Sequence, residues 1–89
     1  MLNIEELKPV YNNQKSFYGK ALVKDTSKGM ELYSYNTLVA KTEKGKITIT
    51  HNDNYLTQTT LKHIKEFIQQ LGYEKMSKKE LLATFEDFQ

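Results

Sequence analysis

The sequence predicts an α+β fold: a short N-terminal helix, a four-stranded antiparallel meander, one long helix packed on the sheet and a short C-terminal helix. Three observations carry this reading. Apolar alternation of period two runs through Ser16–Thr50, and a stripe of helical period replaces it over Leu61–Leu71. The links between the alternating runs are short, which makes consecutive strands antiparallel neighbours.

Each element has its own local reason. At the N-terminus Asn3 can cap a turn or two of helix, with Glu6 three residues later as in a capping box, Leu2, Ile4 and Leu7 as a small apolar side, and Pro9 as the stop. A polar connector, Tyr11–Lys15, follows. Phe17–Lys24 reads as the first strand and Met30–Tyr35 as the second, separated by the turn Asp25-Thr26-Ser27-Lys28-Gly29. Asn36 marks a tight reversal into Thr37–Thr42. Glu43-Lys44-Gly45 then links to Lys46–Thr50, with Gly45 at a position that asks for positive φ. Thr57 or Thr59 caps the long helix, whose stripe is Leu61, Ile64, Phe67, Ile68 and Leu71, and Gly72 follows its end. Ser77-Lys78-Lys79-Glu80 is a capping box, and Met76 with Leu81 forms a hydrophobic staple for a last helix bearing Leu81, Leu82, Phe85 and Phe88.

A one-layer sheet needs its apolar face covered, and only the 61–71 helix is amphipathic and long enough. The expected core face is Ala21, Met30, Leu32, Leu38, Ala40, Ile47 and Ile49. With 89 residues there is room for one domain, 1–89.

Composition narrows the function classes. Cysteine is absent, which removes disulfides, thiolate metal sites and cysteine nucleophiles. No apolar run approaches membrane-spanning length and no signal sequence opens the chain, so a soluble cytoplasmic protein is expected. All 13 basic residues are lysine, against 11 acids, for a net charge of +2. Arginine is the usual residue for bidentate phosphate and guanine contacts, so its absence argues against base-specific DNA readout. Lysine bias is also what a low-GC genome produces.

No catalytic constellation emerges. There is no nucleophile elbow, no phosphate-binding loop and no dinucleotide fingerprint. His51 and His63, even with Asp53 or Glu66 nearby, match no metal-ligand spacing, and His63 reads as a boundary residue beside Phe67. The expectation is a non-enzyme without cofactor or metal.

The informative feature is the sheet face turned away from the helix. Strand alternation places Tyr18, Lys20, Lys24, Tyr33, Tyr35, Lys41 and Lys46 there, with Glu31, Val39 and Thr48 between them. Tyrosines among lysines on an open sheet suit a protein interface or a single-stranded nucleic-acid platform. They also simply pair well across half-exposed strands. The last helix is a second candidate surface. Lys78 and Lys79 at its start, and Glu86 and Asp87 at its end, oppose the helix dipole. Its Leu81, Leu82, Phe85 and Phe88 must therefore dock, on this chain, on a partner or on a second copy.

Three blocks, Ser16-Phe17-Tyr18-Gly19-Lys20-Ala21, Ser34-Tyr35-Asn36-Thr37-Leu38-Val39-Ala40 and Thr59-Thr60-Leu61-Lys62-His63-Ile64-Lys65-Glu66-Phe67, carry a resemblance. Together they are similar to a domain of unknown function in small proteins of phages and mobile elements of Firmicutes and other gut bacteria. The resemblance covers residues 16–73. It implies no activity and no catalytic residue, only a setting. In that setting small accessory proteins often inhibit host defence, anti-CRISPR proteins included. The expected function is binding and inhibition of a host protein or nucleoprotein complex. The alternative is direct nucleic-acid binding on the Tyr/Lys sheet face.

Overall fold

The computed structural model describes residues 3–88. Leu2, assigned above to an N-terminal helix, lies outside the described residues. Five strands form one antiparallel meander: β1 (Ile4–Glu6), β2 (Ala21–Asp25), β3 (Gly29–Ser34), β4 (Thr37–Glu43) and β5 (Lys46–Ile49), in the order β1-β2-β3-β4-β5. Two helices follow, α1 (Gln58–Gln70) and α2 (Lys78–Thr84).

The expected N-terminal helix is instead β1. Ile4, Glu5 and Glu6 pair with Lys24, Val23 and Leu22. Backbone bonds from Asp25 N to Asn3 O (2.8 Å) and from Leu7 N to Ala21 O (2.8 Å) extend the ladder at both ends. A helix of six residues stopped by Pro9 cannot repay its nucleation, whereas the β2 edge offers ready partners. The first long strand is also shorter than predicted. Residues 17–20 form a turn closed by Lys20 N to Phe17 O (3.0 Å), and β2 starts at Ala21.

A bulge corrects the core. Leu32 pairs with Ala40 but Tyr33 pairs with Leu38, so Val39 is an extra residue in β4. Val39 and Ala40 are consequently both buried, and Leu38 turns to the outer face. Strict alternation had put Leu38 inside and Val39 outside. The remaining inner-face residues stand as expected: Ala21, Leu32, Ala40 and Ile49 are buried, and Met30 and Ile47 pack half-buried against them.

The inner face is covered by α1 through Ile64, Phe67 and Ile68. Thr57 caps α1, its hydroxyl accepting from Thr60 N (3.2 Å). Gly72 (φ 102°) closes it in a Schellman motif, with Gly72 N donating to Gln69 O (3.0 Å) and Tyr73 N to Ile68 O (3.2 Å). The predicted capping box of α2 is present in both directions: Glu80 N to Ser77 Oγ (3.2 Å) and Ser77 N to Glu80 Oε1 (2.9 Å). Leu81 and Phe85 join the same core. After α2 the chain runs beside β5, where Ile49 N donates to Glu86 O (2.9 Å) and His51 Nε2 donates to Phe85 O (2.7 Å). Neither described helix is long and apolar enough to cross a membrane.

Candidate functional site

Three turns of this chain share one backbone solution. Tyr18-Gly19 (φ 56° and 74°), Tyr35-Asn36 (51° and 67°) and Lys44-Gly45 (52° and 82°) each place two successive residues at positive φ, as a type I′ turn does. This conformation is cheap for glycine and asparagine and costly for a bulky side chain. Yet tyrosine occupies the first central position of two of the turns. Tyr18 is 75% exposed and Tyr35 49% exposed, so most of the first residue and about half of the second stay open to solvent.

The two tyrosine turns lie together at one end of the sheet. Tyr35 N donates to Lys20 O (2.9 Å), and the Lys20 ammonium sits 5.6 Å from the centre of the Tyr35 ring. Beneath them is a buried polar lock. Ser34 Oγ lies 3.0 Å from Thr60 Oγ1 and 2.8 Å from His63 Nδ1, which ties the base of the β3–β4 hairpin to α1. His63 packs edge-on against Phe17 (centroids 4.6 Å apart) with Tyr35 above (6.1 Å). Burial, then the positive charges of Lys20 and Lys62, push its pKa down to about 4, so the ring is neutral at physiological pH.

Beside the lock a cleft of about 430 Å³ opens between the hairpin and the start of α1. Tyr35 and Tyr55 line it, with Thr37, Asn54, Thr57 and Thr59 supplying hydroxyl and amide groups and no ionisable acid or base. Tyr55 is 46% exposed. The end of the molecule therefore presents aromatic rings around a neutral polar cleft, with the Lys20 ammonium beside the Tyr35 ring.

The seven residues expected on one sheet face divide into two places. Tyr18, Lys20 and Tyr35 are at the turn end, not on the face, because the first strand starts only at Ala21 and the second ends at Ser34. Lys24, Tyr33 and Lys41 do share the outer face, but with partners of their own. Lys24 pairs with Glu31 and Glu31 with Lys41 across the strands. The Tyr33 hydroxyl donates to Glu31 Oε1 (3.0 Å), and Lys41 Nζ lies 3.3 Å from Glu43 Oε1. That bond to Glu31, then burial, raises the Tyr33 pKa above its ordinary value. Lys46, paired with Glu43, is on that outer face too but at the far end of the sheet, 2.8 Å from Glu86 Oε1.

The apolar side of α2 is largely spent within the chain. Leu81 and Phe85 are buried in the core, Leu82 packs half-buried against it, and Phe88 is half-buried with the Lys41 ammonium 5.9 Å from its ring. Of the four residues, Leu81 and Phe85 thus dock in cis, while Leu82 and Phe88 keep part of their surface exposed.

A serine beside a histidine invites a catalytic reading, and the geometry answers it. Ser34 and His63 are 2% and 1% exposed, and among the described residues no carboxylate backs the imidazole. Attack by a hydroxyl needs access to its substrate and a base of suitable pKa; the sealed pair is built as a packing lock. Among the described residues no three histidine, aspartate or glutamate side chains gather at one point.

Sequence reasoning missed Glu66. It is buried, and its carboxylate accepts Val10 N (2.9 Å), Tyr11 N (3.0 Å), Asn12 N (2.9 Å) and the Gln70 amide (2.6 Å). Burial pushes its pKa up, but the Gln70 bond and the three backbone bonds outweigh that and hold it below the usual carboxylate range. One side chain of α1 thereby fastens the strap that joins β1 to β2. A glutamate one residue before Phe67 gives no such signal in sequence, since its partners are backbone N–H groups more than fifty residues away.

The model of a family of unknown function (DUF8033) matches residues 5–83, and the chain belongs to that family. The match takes in most of β1 and most of α2, beyond the 16–73 span of the resemblance described above. No curated protein and no solved structure matches the chain.

Proposed function

We propose that this member of the family works by binding and not by catalysis. In this reading it is an accessory protein of a phage or mobile element that docks on a host protein or nucleoprotein complex and blocks it. The docking surface is the turn end, Tyr18, Lys20 and Tyr35, with Tyr55 across the cleft. One observation carries the reading: two tyrosines hold left-handed backbone at exposed turns where asparagine or glycine would cost less. Tyr18 keeps about three quarters of its surface and Tyr35 about half open to solvent, which leaves both rings available to a partner. Exposed tyrosine is a favoured interface anchor because it brings large contact area at small entropic cost. The Ser34–Thr60–His63 lock supports the reading too, since it holds the hairpin fixed beneath those rings.

The test compares the wild type with the Tyr18→Ala/Tyr35→Ala double variant in affinity capture from host lysate, followed by titration of the captured partner. The variant should keep its melting temperature and lose at least tenfold in affinity. A captured partner that binds both proteins equally would overturn the assignment of this end. Hydrolysis or modification of the partner by the purified protein would overturn the non-enzymatic reading.

A further inference from the structure

A second surface lies away from the turn end and from the sheet face. The exposed side of α1 and the strap fastened to it enclose a cleft of about 310 Å³, lined by Lys62, Lys65 and Lys75 and by Tyr11, Asn12 and Asn13. Among the described residues none of the three lysines forms an ion pair; the three ion pairs there engage Lys41, Lys46 and Lys78. The acid in the cleft wall is Glu66, and its oxygens are already occupied by three backbone N–H groups and the Gln70 amide. Lys62 and Lys65 stand three apart on α1, where like charges on one helix face repel. Within the chain the Lys62 ammonium reaches only Gln14 Oε1, at 3.5 Å, so both helix lysines leave most of their charge open to an anion in the cleft. Tyr11 is 55% exposed at the same cleft, while its backbone N–H is pinned to Glu66, so the ring stands on a fixed base.

We propose that this cleft binds the phosphodiester backbone of single-stranded nucleic acid, with a base stacked on Tyr11. A cationic groove beside an exposed, anchored ring is the arrangement that takes single strands without reading sequence. Lysine suits that task, because it meets phosphate as a point charge, and the lack of arginine is no handicap where no base edge is read. The proposal is independent of the docking assigned to the turn end and uses none of its residues.

Fluorescence anisotropy with a short labelled oligothymidine, from low to physiological salt, tests it. The wild type should bind at low salt, with log K falling against log salt at a slope of about −2, three lysines each contributing about −0.7. The Lys62→Gln/Lys65→Gln/Lys75→Gln variant should lose at least tenfold in affinity and most of that slope. Tyr11→Ala should weaken binding severalfold with the slope unchanged. Lys24→Gln/Lys41→Gln on the sheet face should bind as the wild type does, and so should Tyr18→Ala/Tyr35→Ala. Absence of binding at low salt, or a lysine variant that binds normally, would overturn the proposal. Tighter binding of an acidic polyglutamate peptide than of the oligonucleotide would also overturn it and reassign the cleft to an acidic protein.

Discussion

The two ends of the meander solve the same backbone problem with different side chains. At the far end Lys44-Gly45 turns the chain between β4 and β5, and its surroundings are self-contained: Lys46 meets Glu86, and Lys41 meets Glu43. At the near end Tyr18-Gly19 and Tyr35-Asn36 make turns of the same hand, but the rings stand in solvent over a buried polar lock. The far end carries a bulky residue, Lys44, at the same positive φ, so the backbone cost is common to both ends and the aromatic rings are what the near end adds. Those rings are the surplus of the near end. Function is most economically sought in the surplus.

The comparison can be broken most severely at the far end. Gly29 faces Glu43 across β3 and β4, and a Cβ there would collide with the Thr42 carbonyl, which is backbone and cannot step aside. Gly29→Ala should cost about 3 kcal/mol or more, a large share of the stability of a domain this size. Chemical denaturation would check it; an unchanged midpoint would mean that the β3–β4 register is misassigned.

The near end should fail next, and through pH. His63 is neutral in the fold with its pKa lowered to about 4 from 6.5. The unfolded chain binds the proton more readily, so His63's contribution is complete above pH 6.5 and is lost as pH falls toward 4. The depression corresponds to about 3 kcal/mol across that window, at 1.36 kcal/mol per unit. Glu66, also held below its ordinary value, acts in the same sense at lower pH, below the usual carboxylate range. Denaturation midpoints should therefore fall from pH 6.5 downward, and His63→Gln should flatten the curve in that window. An equally steep curve in the variant would detach the lock from the pH response.

These two regions also differ in how legible they were. The hairpin at Glu43–Lys46, both helix caps and the α1 stripe could be read because their causes are local: a glycine at positive φ, a capping hydroxyl, apolar residues at helical spacing. β1 could not, because its partners are in β2, and the same residues satisfy a helix-start pattern. The Val39 bulge was invisible to alternation, which has no place for one extra residue, and it moved Leu38 and Val39 to the opposite faces. The candidate site suffered from the same cause. Tyr18, Lys20 and Tyr35 were recognised as exposed and aromatic or cationic, but their grouping depends on where β2 starts and β3 stops. Neither the Ser34–Thr60–His63 lock nor the Glu66 clasp has a sequence signature, since each joins residues twenty-six or more positions apart.

A smaller effect sharpens what the far end does. Gly45 has φ 82° and open space where a Cβ would go, so substitution meets strain without collision. Gly45→Val should cost on the order of 1–2 kcal/mol by placing a branched side chain in left-handed backbone. It should leave partner capture through the near end intact. A loss of capture at retained fold would place part of the docking surface at the wrong end of the sheet.

The smallest change in stability is the most discriminating. Tyr35 and Lys44 hold the same position in equivalent turns, with φ 51° and 52°. Asparagine is the preferred residue there, because its short polar side chain tolerates this region. Tyr35→Asn should therefore leave the fold as stable as before, or raise its stability by a few tenths of a kcal/mol, after allowing for loss of the Lys20 contact at 5.6 Å. Lys44→Asn should do the same at the far end. The two variants then differ only in what the displaced side chain did outside the molecule. If the tyrosine end is the docking surface, Tyr35→Asn loses partner binding while Lys44→Asn keeps it, and the more comfortable backbone becomes the less functional one. Should both variants bind alike, Tyr35 would have no role beyond its turn. Should Tyr35→Asn lose more than about 1 kcal/mol of stability, the ring's packing over His63 would matter to the fold and the surplus would vanish.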